Sequence, residues 1–431
     1  MKKTLLPLFI IASFSNIYAQ NTAIKEVLSS YKNDIRLEYN NQLTNFAKGL
    51  KYDMPLLKQV EARIGINGST LGDSLYGGIR NEDLYGLNIS TNSFKEIKLQ
   101  KQVKQAQIDA LASENRVFEQ QALLERYQAV ASIYFNQKLR GEKQKLDSLL
   151  HKKHGILRTM IERGIEIKVK EVMDTEGDKN AVELALLDVE SSLKFQKSKL
   201  KLFVKGENFS ADLDFIDFTD FISIKNIQQI IDNQLVINSN PVLDYKNGRT
   251  ALASTQLNFI AAQNRQIFNS LRLGYQNPVY LEEPKKLNPF NNFSVRVGLV
   301  VPLPGNNNYK RSDAMLELRE AQNETALTRE LFKKNIHIQY FKLNSLLEQH
   351  RLSQVKIEQS LINKMLGNEK LLAQMTPLEI ADLSIEQQKI KVRTLEIETE
   401  ITSEYIKMLD FNGSLSVKPL KNYLSVNLET F

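Results

Sequence analysis

From Phe94 to about Arg163 the chain runs without a single proline, and Gly141 and Gly155 are the glycines inside it. Apolar residues recur through this tract at steps of three and four: Phe94, Ile97, Ile108, Leu111, Phe118, Leu123, Tyr127, Val130 and Tyr134, then Leu146, Leu149, Leu157 and Ile161. That period is helical. At 1.5 Å per residue, roughly 70 helical residues span about 105 Å, more than one globular domain contains. A second such tract runs from about Lys310 to Leu372, with no proline and no glycine before Gly367. Each tract meets a break and a return helix. The first break is Gly164 to about Val169, with the helix resuming to about Val204. The second lies around Gln374 to Pro377, with a return to about Leu409, and Pro377 suits a first helical turn. The two units read as long antiparallel helical hairpins.

Four short segments carry a different period. Ala62, Ile64 and Ile66 alternate with Arg63, Gly65 and Asn67, and Tyr85, Leu87 and Ile89 alternate with Gly86, Asn88 and Ser90. Leu271, Leu273 and Tyr275 alternate with Arg272 and Gly274, and Phe293, Val295, Val297 and Leu299 with Ser294, Arg296 and Gly298. Period two predicts strands, apolar on one face and polar or small on the other. They come in pairs joined by loops rich in Gly, Asn, Asp and Pro, over 69–83 and 277–292.

The order helix, strand pair, long helix, break, return helix occurs twice. Tyr31-Lys32-Asn33 matches Tyr245-Lys246-Asn247, Gly86-Leu87 matches Gly298-Leu299, and Asp174 matches Asp382. The layout expected is a first repeat over 20–220 (strand pair 60–91, hairpin 94–204), a second over 221–411 (strand pair 270–301, hairpin 309–411) and a C-terminal segment 412–431. Residues 1–19 read as a secretory signal peptide. Lys2 and Lys3 precede an apolar stretch from Leu5 to Phe14, and Ala19 is a small residue at a cleavage position. Its removal takes two from a formal net charge of +7, too mild a balance to argue for nucleic acid. The absence of cysteine excludes disulfides, thiolate metal sites and a lipid-modified N-terminal cysteine.

Four amphipathic strands cannot close a barrel, and open strand edges are not tolerated in lipid, so a membrane reading requires strands from further copies. Three copies supply twelve. The stretch from Phe293 to Gln322, FSVRVGLVVPLPGNNNYKRSDAMLELREAQ, resembles the strand-to-helix junction of TolC-like outer-membrane factors. Residues 240–275, entered by Asn240-Pro241, resemble the family's Asn-Pro helix leading into a strand. Residues 377–413, ending in Asn412-Gly413, resemble its last tunnel helix. The first half is similar mainly in pattern. It lacks the proline step, and Ala373 stands where the family usually has a tip glycine in the second half.

The resemblance implies a mainly helical fold with a small β part. Long antiparallel hairpins would form a periplasmic α-barrel, and four strands per subunit would complete a trimeric 12-stranded outer-membrane β-barrel. It implies a homotrimer in outer-membrane lipid, with its tunnel extending into the periplasm. The trimer would be the passive exit duct of a tripartite efflux pump or type I secretion system. Its partners would be a periplasmic adaptor (membrane fusion) protein and an inner-membrane transporter of RND or ABC type. No cofactor, nucleic acid or enzymatic activity is implied. The alternatives are a periplasmic coiled-coil scaffold without a pore and an envelope enzyme. No phosphate loop, nucleophile elbow or zinc-protease motif supports the latter.

The resemblance places the hairpin tips, Gly164-Ile165 and Met375-Thr376-Pro377-Leu378, where a tunnel meets its adaptor. Beyond them Asp174 and Asp382, with Glu171 and Glu379, are candidates for a carboxylate gate that favours cations. With no Trp, interface aromatics would be Tyr85, Tyr275 and Phe293, with Tyr76, Tyr280 and Phe290 beside them. The segment Asp212 to Phe221 reads as a mid-tunnel collar. His151 and His154, three apart on a helix, read as a solvated face without acidic company, and His337 and His350 as isolated.

Overall fold

The computed structural model describes residues 23–50, 54–64, 85–203, 218–233, 240–263, 268–275, 293–299 and 308–431. The leader, both strand-joining loops, and Tyr76, Tyr280, Phe290 and Ile66 lie outside them. In chain order the elements are α1 (Ala23–Ser29), α2 (Ile35–Gly49), β1 (Leu57–Ile64), β2 (Tyr85–Thr91), α3 (Phe94–Glu162), α4 (Val169–Phe203) and α5 (Ile224–Asn233). They continue with α6 (Pro241–Gln263), β3 (Phe268–Tyr275), β4 (Phe293–Leu299), α7 (Asn308–Glu358), α8 (Leu361–Leu366), α9 (Glu369–Leu372) and α10 (Pro377–Phe411). The fold is mainly helical with one small sheet. Two compact units draw on both halves of the chain. One holds 42–113 and 243–328, the other 1–41, 114–242 and 329–431.

The first unit carries the sheet, ordered β1-β2-β3-β4 and antiparallel throughout. The register aligns Ile64, Tyr85, Tyr275 and Phe293 in one row, and Ala62, Leu87, Leu273 and Val295 in another. Because partners across a strand pair share a face, one face is apolar in all four strands. The other carries rows such as Glu61, Asn88, Arg272 and Arg296. The alternation read from the sequence holds, but β1 opens at Leu57, ahead of the strand pair expected from 60. The two Gly-Leu dipeptides occupy different places in their strands. Gly86 lies opposite Gly274 near the start of β2, whereas Gly298 lies opposite Ser270 near the end of β4. Ser93 and Glu96 start α3 with reciprocal bonds, Ser93 N to Glu96 Oε2 at 2.8 Å and Glu96 N to Ser93 Oγ at 3.2 Å, a capping box.

In the second unit α3 packs antiparallel to α4 and to α10. Asn136 Nδ2 donates to Ser192 Oγ on α4 at 2.9 Å. On α10, Gln120 reaches the Asp410 carbonyl at 2.7 Å and Gln388 reaches the Glu142 carbonyl at 2.9 Å. α7 runs antiparallel to α10, tied by Lys342–Glu404 at 2.8 Å and His350–Glu398 at 3.2 Å. Leu123, Tyr127, Val130 and Ile133 of α3 and Ile401, Tyr405 and Leu409 of α10 form the buried seam, closed by Val27, Leu28, Ile227, Ile231 and Leu424. Phe221 bridges to Ser425 and stacks on Tyr134 at 3.8 Å, so the 218–222 strip and the C-terminal segment meet on α3. Residues 212–217 of the expected collar lie outside the description.

The Asn-Pro and Asn-Gly motifs meet in this unit. Asn240 Oδ1 accepts from Val242 N at 2.9 Å, capping α6, while its Nδ2 donates to the Phe411 carbonyl at 3.0 Å where α10 ends. Gly413 then turns the chain at φ 75°.

Candidate functional site

The first hairpin tip ends α3 with a left-handed glycine. Gly164 has φ 68°, a conformation costly for residues with a Cβ. Gly164 N bonds Ile161 O and Ile165 N bonds Met160 O, both at 3.0 Å, the paired pattern of a Schellman end. Ile161, Gly164, Ile165, Ile167, Val169 and Val172 line an open apolar hollow of about 420 Å³. Ile161, Ile165, Val169 and Met173 are exposed around it.

The second tip differs from the continuous rod read up to Leu372. α7 stops at Glu358, and the short α8 and α9 intervene before α10. Short polar side chains cause the breaks by replacing helical bonds. Ser360 Oγ accepts from Ile362 N at 3.2 Å, Asn363 Nδ2 donates to the Ile357 carbonyl, and Asn368 Oδ1 accepts from Lys370 N at 3.1 Å. Ala373 is right-handed helical, so no left-handed residue is needed there. Thr376 caps α10 with Pro377 in its first turn. Glu379 Oε2 accepts from Thr376 N at 2.8 Å and from Thr376 Oγ1 at 2.9 Å. The backbone bond first, then the hydroxyl bond, hold the Glu379 carboxyl below the usual range. Met375 and Leu378 are half-buried beside this cap.

The candidate gate carboxylates separate into three situations. Lys153 of α3 reaches Asp382 on α10 at 2.7 Å and Glu171 on α4 at 3.9 Å, so one half-buried cation ties both return helices. Its side chain is 13% exposed against 46% for Asp382, so the pair is shielded from the lysine side. Glu379 is spent on the cap. Asp174 is exposed. Lys153 was not singled out in the sequence, since its partners stand 18 and 229 positions away (171 less 153, 382 less 153).

Tyr85, Tyr275 and Phe293 stand in one row across β2, β3 and β4, at one end of the apolar face, and all three are exposed in the chain. No described helix is long and apolar enough to cross a membrane.

The histidines correct the sequence reading. His151 lies 3.2 Å from Asp147, His154 pairs with Glu176 at 2.6 Å, and His350 with Glu398 at 3.2 Å. Asp147 sits one turn before His151 and is visible in the sequence. The other carboxylates come from return helices.

Two long antiparallel hairpins with a four-stranded sheet, apolar on one face, are the fold of TolC-like outer-membrane channels, and the chain has that fold. It is similar to the CmeC outer membrane channel of Campylobacter jejuni, at 11% identity over 91% of this chain and 85% of that one, TM-score 0.57. The outer membrane protein VceC of Vibrio cholerae is similar at 14% identity over 91% and 97%, TM-score 0.57. The open state of the MtrE outer membrane channel of Neisseria gonorrhoeae is similar at 12% identity over 91% and 88%, TM-score 0.56. No protein-family model matches the sequence, and no curated protein does.

Proposed function

We propose that the chain is one protomer of a homotrimeric outer-membrane channel-tunnel, the passive exit duct of a tripartite efflux pump or a type I secretion system. The observation that carries this reading is the sheet. Its apolar face is continuous over four strands, exposed on β1 and β4 and half-buried in the middle of β2 and β3, its other face is polar, and β1 and β4 leave their outer edges without a strand among the described residues. Lipid would cover the first face, water the second, and neighbouring copies the edges. Three copies bring twelve strands. The exposed series Ile35, Tyr39, Leu43 and Phe46 on α2, and Leu327, Leu331 and Ile338 on α7, supply helical surface for the same association. The tyrosine and phenylalanine row would sit at a membrane interface.

The tips would dock a periplasmic adaptor. The hollow at Gly164 and Ile165 and the surface of Met375, Thr376, Pro377 and Leu378 suit helix-to-helix contact. Energy would come from an inner-membrane transporter of RND or ABC type. Asp382, Asp174, Glu171 and Glu379 would line or support the narrow periplasmic end.

Cross-linked protein purified from outer membranes should run as a trimer and form conducting pores in planar bilayers. Release of folded monomer from those membranes by carbonate, without detergent, would overturn the reading in favour of a periplasmic scaffold.

A further inference from the structure

We infer that Asp147, His151 and Glu183 form a divalent transition-metal site that staples the α3–α4 hairpin. This lies outside the channel reading and does not depend on it. Asp147 and His151 are one turn apart on α3, a spacing that puts both on one helix face, and Glu183 faces them from α4. His151 Nδ1 lies 3.2 Å from Asp147 Oδ1, and Nε2 lies 3.9 Å from Glu183 Oε1. One ligand atom from each residue lies within 4.8 Å of the other two. Metal bonds of about 2.0–2.2 Å to nitrogen and oxygen put neighbouring ligands roughly 3–4 Å apart, so Glu183 is already spaced for an ion on His151 Nε2, and Asp147 joins them by turning its carboxylate from the Nδ1 edge of the ring.

Two further features point to a ligand. His151 Nδ1 is 3.0 Å from the Asp147 carbonyl. A proton held on Nδ1 for that carbonyl leaves the lone pair on Nε2, towards Glu183, and this second hydrogen bond is the usual support of a metal-bound imidazole. Asp147 Oδ1 is screened from solvent and makes no well-aligned hydrogen bond, its nearest donor being His151 Nδ1 at 3.2 Å, so it is an acceptor that a cation would satisfy. Two carboxylates balance a divalent charge. An imidazole among oxygens favours zinc, cobalt or nickel over calcium or magnesium. Side-chain exposures of 50% for His151 and 47% for Glu183 leave room for completing waters. A chain without cysteine has no disulfide to pin the hairpin, and a metal staple would serve there.

The competitor is Lys179, one turn before Glu183, with Nζ 3.9 Å from Glu183 Oε1. His154 is committed to Glu176 and is the internal control.

The test uses the full-length protein in detergent, titrated with zinc chloride by calorimetry and with cobalt chloride by visible absorption. We expect one ion per chain. His151→Gln and Glu183→Gln should each weaken binding at least about tenfold and abolish the cobalt bands, while His154→Gln stays within about threefold. Lys179→Met should tighten binding several-fold, a gain that misfolding does not produce. Absence of binding at millimolar zinc, or binding that survives both His151→Gln and Glu183→Gln, would overturn the site.

Discussion

Arg126 is fully buried in the second unit, and a buried guanidinium survives only if its donors are met. It donates to the Ala122 carbonyl at 2.8 Å and Ser30 Oγ at 2.9 Å, and pairs with Asp34 at 3.4 Å. Burial lowers its pKa, and the Asp34 charge opposes that shift. Arg36 grips the same carboxylate at 2.9 and 3.0 Å and reaches Glu125 at 2.9 Å. Burial pushes the Asp34 carboxyl up, but the hydrogen bonds and charge of Arg36, with Arg126 behind them, hold it below the usual range. Asp34→Asn keeps the volume and leaves Arg126 without its counter-charge. It should cost about 3–5 kcal/mol in denaturant unfolding at neutral pH, as broken buried pairs do. The sign of the pH dependence follows from the depressed folded-state pKa. The stabilisation is present above the unfolded carboxyl pKa of about 3.9 and is lost as pH falls through the folded value. The wild type should therefore converge on Asp34→Asn as pH falls below about 4. A stability difference that stays constant from pH 7 to pH 3 would show that this carboxylate does not titrate with folding.

At the scale of elements, the strand faces are the sharpest consequence of period two. Val297 pairs with Leu271 on the apolar face, and Arg296 pairs with Arg272 on the polar one. In the proposed barrel, Val297→Asp puts a charge in hydrocarbon, on the order of 2 kcal/mol or more near mid-bilayer, and outer-membrane insertion should fall sharply. Arg296→Ser should insert normally. Equal loss in both would mean that the faces are reversed or that no lipid touches the sheet. The same periodicity explains what was legible beforehand. The two long helices, the four strands, the Gly164 turn and the Pro377 helix start all rest on signals within a few residues. The second tip was not legible, because Ser360 and Asn368 start new short helices as side-chain caps and Asn363 bonds back to the Ile357 carbonyl, with Gly367 closing α8 between them. Nor was the register between the strand pairs. The pattern shows which residues share a face, while the register that sets Tyr85 beside Tyr275 and Tyr275 beside Phe293 depends on strands far apart in the chain. The Lys153 pairs were hidden because they depend on which helices become neighbours.

For the molecule as a whole, the consequential feature is that Asp382 is compensated within its own chain. Bare carboxylates repeated around a threefold axis would repel one another and attract multivalent cations. Lys153 sits 2.7 Å from Asp382 and 3.9 Å from Glu171, so each proposed protomer brings a cation to that end as well. In the proposed channel, block by multivalent cations should therefore depend on the balance of the two charges. Lys153→Met leaves Asp382 and Glu171 bare and should strengthen block several-fold in planar-bilayer recordings. Because Lys153 also ties α10 and α4 to α3, the same variant should open more readily. Asp382→Asn leaves Lys153 facing only Glu171 and should weaken block, with open-pore conductance mostly unchanged. Asp174→Asn should have the smaller effect, since Asp174 is exposed and the Lys153 contacts run to Asp382 and Glu171. The double variant Lys153→Met with Asp382→Asn separates charge from linkage. Residues in contact are expected to be non-additive, so its block should fall short of the Lys153→Met value while its opening stays easy. If block is the same in the wild type, Lys153→Met and Asp382→Asn, these charges do not line the constriction, and the gate must be sought elsewhere on the tips.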